Sequence, residues 1–190
     1  RLIPNLVVLR PADANETSQA WRVAIEHKTG PVALILTRQK LPVFDRSIMP
    51  PADEISSGAY VMLGSEEDAE LILIASGSEV HLAISAAKIL KEKGINTRVV
   101  NMASQELFET QSNEYRQSVL PSNVRLRITI EAGTTKGWEK YATDSGAIIG
   151  IDTYGKSAPG EVLMKEFGIS VENILATAES LLTAKNNSKQ

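Results

Sequence analysis

The stretch AELILIASGSEVHLAISAAKILKEKG, residues 69–94, constrains the fold of this chain more than any other. Within it Leu71–Ala75 is an uninterrupted apolar run of strand length, a pattern that demands cover on both faces of a sheet. Ser76, Gly77 and Ser78 then make a small-residue turn, with Ser78 placed to cap a helix. Val80, Ala83, Ala87 and Leu90 recur at helical spacing, and Gly94 stands where a left-handed C-cap belongs. A strand that feeds a helix through such a turn opens many α/β sheets, and the turn often cradles a phosphate.

The rest of the chain alternates strand and helix in the same way. Residues 6–9 read as a strand. Asp13 and Glu16 form a capping box ahead of a helix over 14–28, with Ala20, Val23 and Ala24 on its inward face. Gly30-Pro31 stops that helix, and 32–36 reads as a second buried strand. Parallel strands joined by one helix need further neighbours to bury both faces. Residues 1–42 are therefore expected to be the closing part of a domain begun upstream, and Arg1 in place of Met reads as a piece of a longer chain. Residues 43–58, with Pro50, Pro51 and no sustained periodicity, read as a linker.

A second domain is expected over 59–190. Its strands are predicted at 59–63 (an edge), Leu71–Ala75, 97–101, 125–131 and 147–151. Besides the helix after Ser78, one or two short helices are predicted over 107–118, with others at 137–141, 159–167 and 171–183. Ser170 opens the last of these, with Asn173 at N3, and the polar residues 185–190 should fray. The expected class is α/β: a doubly wound, mostly parallel sheet preceded by a βαβ remnant of a second α/β domain.

With 43% hydrophobic and 23% charged residues, the chain can bury a sizeable core. A formal net charge of −3 gives no reason to expect nucleic acid or an anionic membrane as partner. The absence of cysteine excludes disulfides, thiolate catalysis and cysteine zinc sites, and it is compatible with a reducing cytoplasm. Apolar runs such as 32–36 and 71–75 are far too short to span a bilayer, and no charged-then-apolar leader is read at the start.

Several residues could carry chemistry. An anion could sit on the free N–H groups after Ser76-Gly77-Ser78. The single glycine falls short of G-x-G-x-x-G, and Glu79 in the first turn would repel a phosphate. Strand carboxyl ends of a parallel sheet share one rim, which here also receives Glu131 and Asp152. A rim with three carboxylates is a poor phosphate cradle, so local capping is the plainer role of the turn. Glu79, Glu131 and Asp152 could instead hold a divalent cation, although the sequence does not fix their separation. His27 and His81 lack triad partners, and no G-x-S-x-G elbow supports a hydrolase. Trp138, Tyr141, Tyr154 and Phe167 suit core or subunit contact rather than a cofactor platform.

Thr37-Arg38-Gln39-Lys40 is different. It follows a strand at the carboxyl end, where parallel sheets bind ligands. Arg38 can present a bidentate fork to a phosphate or carboxylate there, and Lys40 adds a second positive charge. A solvated pair or an interface ion pair fits the spacing equally.

The segments Leu9-Arg10-Pro11-Ala12-Asp13-Ala14-Asn15-Glu16 and Leu34-Ile35-Leu36-Thr37-Arg38-Gln39-Lys40-Leu41-Pro42 resemble the end of the pyrimidine-binding domain of the transketolase family. Ala75-Ser76-Gly77-Ser78-Glu79-Val80, then Glu131-Ala132-Gly133 with Gly137-Trp138-Glu139, resemble its C-terminal domain in the same order. So do Gly150-Ile151-Asp152-Thr153-Tyr154-Gly155 with Ser157-Ala158-Pro159-Gly160-Glu161, the bacterial or plastid type being nearer. The resemblance implies the C-terminal portion of a homodimeric, cytoplasmic enzyme that uses thiamine diphosphate with Mg2+ or Ca2+. Such an enzyme moves a two-carbon ketol unit from a ketose phosphate to an aldose phosphate in the pentose phosphate and Calvin pathways.

The resemblance further implies that Arg38, in the Thr-Arg-Gln motif, contacts the substrate phosphate. It assigns no catalytic, cofactor or metal residue to this chain. The family's Gly-Asp-Gly motif, its cofactor-activating glutamate and its catalytic histidines have no counterpart in these 190 residues. The chain alone is thus expected neither to bind the cofactor nor to turn over substrate, and its second domain to serve subunit packing. Deoxyxylulose-phosphate synthase and the pyruvate dehydrogenase β type share the domain plan but are less similar at Thr37-Arg38-Gln39. A stand-alone regulatory or ligand-binding α/β module, built on the turn at Ser76, is the alternative from another class.

Overall fold

The computed structural model describes residues 3–64 and 68–187. Strand β1 (Val7–Leu9), helix α1 (Ala14–Glu26) and strand β2 (Val32–Leu34) form one βαβ unit with parallel strands. A second sheet takes β3 (Ala59–Leu63), β4 (Leu71–Ala75), β5 (Thr97–Met102), β6 (Arg127–Ile130) and β7 (Ala147–Ile149) in the order β3-β5-β4-β6-β7. Only β3 at one edge is antiparallel to its neighbour. Helices α2 (Glu79–Glu92), α3 (Gln105–Glu109), α4 (Asn113–Val119), α5 (Glu139–Ala142), α6 (Gly160–Glu166) and α7 (Val171–Asn187) complete the chain. The mostly parallel α/β class read from the sequence is the one observed.

Strand β4 shows why these residues build this sheet. Leu71, Leu73 and Ala75 point into one core with Val80, Ala83, Ala87 and Leu90 of α2 and Ile174 and Ala178 of α7. Ile72 and Ile74 point into the opposite core with Phe108, Val119, Trp138 and Tyr141. All five strand residues are fully buried. Each large aliphatic side chain taken from water stabilises by about 1.5–3 kcal/mol, which only a central strand can collect on both faces. Gly94, at φ +78°, then closes α2: its N–H donates to Lys91 O at 2.9 Å, and the Ile95 N–H donates to Leu90 O at 2.9 Å.

Three expectations are corrected, and the segment expected to be a linker carries a short turn of its own. Ser78 stands at the N-cap of α2, but its hydroxyl donates to Glu79 Oε1 at 2.5 Å instead of accepting from the backbone. The buried carboxylate beside it is the stronger acceptor. The strand expected over 32–36 stops at Leu34, and Ile35 and Leu36 are 48% and 49% exposed. Having β1 as its single neighbour, β2 is only half-buried. The presumed linker contains a 3₁₀ turn, Ala52–Ser57, whose Ile55 is fully buried with Val7, Leu9 and Ala20. Finally, α7 stays helical through Lys185 to Asn187, and the rest of the tail expected to fray, residues 188–190, lies outside the described residues.

The winding of the second sheet reverses at β4. The chain passes from β4 to β5 on one side, while β6 on the other side leads to β7. The loops that follow β4 and β6 therefore flank the crevice that receives ligands in open parallel sheets.

Candidate functional site

That crevice is filled by the chain itself. Arg10 follows β1, and its backbone is fixed to the ends of β5 and β4: its N–H donates to Ala103 O at 2.9 Å, and its carbonyl accepts from Gly77 N–H at 3.0 Å. The guanidinium enters between the two loops. Nη2 lies 3.0 Å from Glu79 Oε2, and Nη1 lies 3.3 Å from Glu131 Oε2. Nη1 also donates to Ser76 Oγ at 2.9 Å, and that hydroxyl donates onward to Glu131 Oε2 at 2.9 Å. The Ala132 N–H donates to Glu79 Oε2 at 3.1 Å, completing the cage of a carboxylate that is wholly buried. Gly77 adopts φ +60°, a left-handed conformation that favours glycine.

The expected three-carboxylate rim is thereby corrected. Glu79 and Glu131 do converge, but on a cation that belongs to the other sheet. Asp152 is exposed and separately engaged, accepting from Thr135 Oγ1 at 2.7 Å, Thr135 N–H at 2.9 Å and Thr134 Oγ1 at 2.9 Å. Hydrogen bonds from Thr135, then Thr134, hold its carboxyl below the usual carboxylate range. Among the described residues no group of three acidic or histidine side chains is placed to hold a metal ion. The divalent-cation reading of Glu79, Glu131 and Asp152 finds no geometry.

A second buried network grows from the capping box. Asp13 Oδ1 accepts from Glu16 N–H at 2.8 Å, and Glu16 Oε2 accepts from Ala12 N–H at 2.9 Å. The fully buried Glu16 carboxylate also accepts from Asn101 Nδ2, at 2.9 and 3.0 Å, and from the Tyr60 hydroxyl. Arg46 Nη2 approaches Glu16 Oε1 at 3.3 Å and Asp13 Oδ2 at 3.0 Å. Burial and then the Glu16 carboxylate push the Tyr60 phenol well above its usual range, so it remains a donor at neutral pH. Phe44 fastens the connecting segment: its N–H donates to Asp13 Oδ2 at 3.0 Å, and its ring stacks on His81 at 4.1 Å.

The remaining candidates are placed as follows. His81 Nε2 lies 2.9 Å from Ala12 O, and the His27 N–H closes α1 on Val23 O at 3.0 Å, with its ring 3.3 Å from Thr29 Oγ1. Trp138 and Tyr141 are core residues, Phe167 packs half-buried on the other core, and Tyr154 is 97% exposed. Arg38 and Lys40 are exposed beyond β2, and among the described residues no hydrogen bond or ion pair engages Arg38. Thr37 Oγ1 donates to Gln39 Oε1 at 2.6 Å and accepts from Gln39 N–H at 3.2 Å, folding the loop around Arg38. A recess of about 210 Å³ beside it is walled by Pro11, Thr17, Leu36, Thr37 and Gln39, with Arg38 outside. Sequence reading passed over Arg10, Arg46, Tyr60 and Asn101 as site residues. The available signal was a polar residue at the carboxyl end of two apolar strands, Arg10 after β1 and Asn101 within β5.

Fold and site define a class: a mostly parallel α/β sheet locked by buried ion pairs to a separate βαβ unit. Residues 58–170 match the family described as the transketolase-like C-terminal domain, and residues 1–43 match the transketolase pyrimidine-binding domain. The chain is 46% identical over 185 residues to a transketolase of Halalkalibacterium halodurans, covering 97% of this chain and 28% of that protein. It is 49% identical over 174 residues to one of Aquifex aeolicus, covering 92% and 25%. Among solved structures, a transketolase from Leishmania mexicana superposes with a TM-score of 0.85 at 42% identity, covering 95% of this chain and 26% of that one. The chain belongs to the transketolase family. It spans about a quarter of the length of the curated relatives it matches.

Proposed function

We propose that this chain is part of a thiamine-diphosphate enzyme that moves a two-carbon ketol unit between sugar phosphates, and that Arg38 contacts a substrate phosphate. The observation that carries the reading is the state of Arg38. It is a guanidinium beyond the carboxyl end of a parallel strand, exposed and unpaired among the described residues, on a loop shaped by Thr37 and Gln39. A fork left unsatisfied at that position suits an oxyanion. Residues 1–42 would then close the pyrimidine-binding domain, 43–58 connect, and 59–190 form a C-terminal domain that packs a homodimer. The Arg10-filled crevice supports a packing role over a ligand-binding one. The cysteine-free sequence suits a reducing compartment, and we place the enzyme in the cytoplasm. No helix among the described residues is long and apolar enough to cross a membrane.

The described residues do not fit thiamine diphosphate with a divalent cation. Glu79 and Glu131 are engaged by Arg10, Glu16 is enclosed by donors, and Asp152 is held by threonines. We therefore assign the cofactor and its reacting groups to sequence outside these residues. Titrating thiamine diphosphate and Mg2+ into this chain should give no saturable heat; a saturable isotherm would overturn the assignment.

The Arg38 role is tested in a transketolase whose C-terminal portion is this sequence. Loss of a charge-assisted contact of roughly 1.5–3 kcal/mol predicts that Arg38→Ala raises KM for phosphorylated sugars about 10–100-fold. KM for unphosphorylated sugars should barely move, and equal changes for both would remove the role.

A further inference from the structure

Gln39 links the Arg38 loop to the second sheet's helices. Its side chain lies across Gly160, the first residue of α6: a Cβ at position 160 would stand 2.4 Å from Gln39 Nε2, 3.2 Å from its Cδ and 3.5 Å from its Cγ. The opposite end of the same amide receives the Thr37 hydroxyl at 2.6 Å, and the Gln39 N–H donates back to that hydroxyl at 3.2 Å. The residue enclosed by this Thr37–Gln39 turn is Arg38. One amide therefore sets the loop's internal shape on its oxygen side and rests against α6 on its nitrogen side. Any side chain at 160 displaces it.

We propose that Gln39 and Gly160 form a latch, and that Gly160 is a positioning residue which sets where the Arg38 guanidinium is held. The inference rests on the phosphate-binding reading of Arg38 for its functional consequence, but not for the latch itself. The latch has a useful asymmetry. What a new Cβ would strike is the far end of a flexible side chain, not backbone, so the fold can absorb a methyl group at 160 while Gln39 cannot keep its place.

The test uses Gly160→Ala, Gln39→Ala, the double variant, and Gly160→Ala combined with Gln39→Asn. In a transketolase carrying this sequence, each single alanine variant should raise KM for a phosphorylated sugar about threefold to tenfold with kcat and KM for an unphosphorylated sugar unchanged. The double alanine variant should be no worse than the worse single one, because both remove one contact. The shorter Asn side chain should return part of the loss. In this 190-residue chain, Gly160→Ala should speed hydrogen exchange of the Gln39 amide, which is bonded to the Thr37 hydroxyl, while leaving Tm within about 2 °C of the parent. Additive losses, or a KM rise for both sugar types, would overturn the latch. If Arg38→Ala is itself unselective, the phosphate reading falls, and hydrogen exchange still decides the latch. Unchanged exchange of the Gln39 amide overturns it.

Discussion

Arg10→Ala is expected to lower the free energy of unfolding by about 3–5 kcal/mol, the cost of leaving buried charge without its partner. For a chain of this size that corresponds to a fall in Tm of about 6–20 °C, measurable by calorimetry or circular dichroism. The Glu79 side chain is entirely shielded from solvent and Arg10's is 12% exposed, so water cannot replace the guanidinium without opening the crevice. Arg10→Met, which restores bulk without charge, should be nearly as damaging. Adding Glu79→Gln and Glu131→Gln to Arg10→Met should recover most of the loss, because the uncompensated charges are then gone. A Tm for Arg10→Ala within about 2 °C of the parent would show that the two carboxylates are hydrated without it.

The second large effect belongs to Glu16. Glu16→Ala removes the common acceptor of the Ala12 N–H, the Arg46 guanidinium, and the Tyr60 hydroxyl and Asn101 amide of the second sheet. The expected loss is about 3–5 kcal/mol by urea unfolding, since several buried donors lose their acceptor together, while Arg46 keeps Asp13 and the Pro50 carbonyl. Glu16→Gln keeps the shape and one acceptor oxygen, and should fall between the parent and Glu16→Ala. A loss below about 0.5 kcal/mol, the ordinary size for a surface glutamate, would show that the network holds nothing.

What could be read from the sequence follows from where each constraint lies. The β4–α2 unit was legible to the residue, because burial on both faces leaves a continuous apolar run and a helical stripe. The Asp13–Glu16 capping box was legible as local chemistry. That the Glu16 carboxylate also receives Asn101 was not, because the partner lies 85 positions away. Arg10 was hidden for the same reason: its contact with Ser76 spans 66 positions and two sheets. Counting carboxylates on one rim missed the cation delivered from the other sheet. Ser78 failed as a cap because the capping rule assumes no buried carboxylate competes for its hydroxyl. The 3₁₀ turn at Ala52–Ser57 was overlooked because a turn that short has no periodicity to detect. The position of Arg38 beyond β2 was readable, whereas its Gln39 neighbour's contact with Gly160 was not.

The guanidinium wedged between the loops after β4 and β6 has a consequence for regulation. In a doubly wound sheet that crevice is where the concentration of a small metabolite can be sensed, since a ligand that enters it bridges both halves of the winding. Here the bridge is covalently tethered, so its effective concentration is set by the chain and does not vary with the cell's metabolism. The second sheet is in this sense permanently liganded. A metabolite could register there only by first prising two halves of one polypeptide apart.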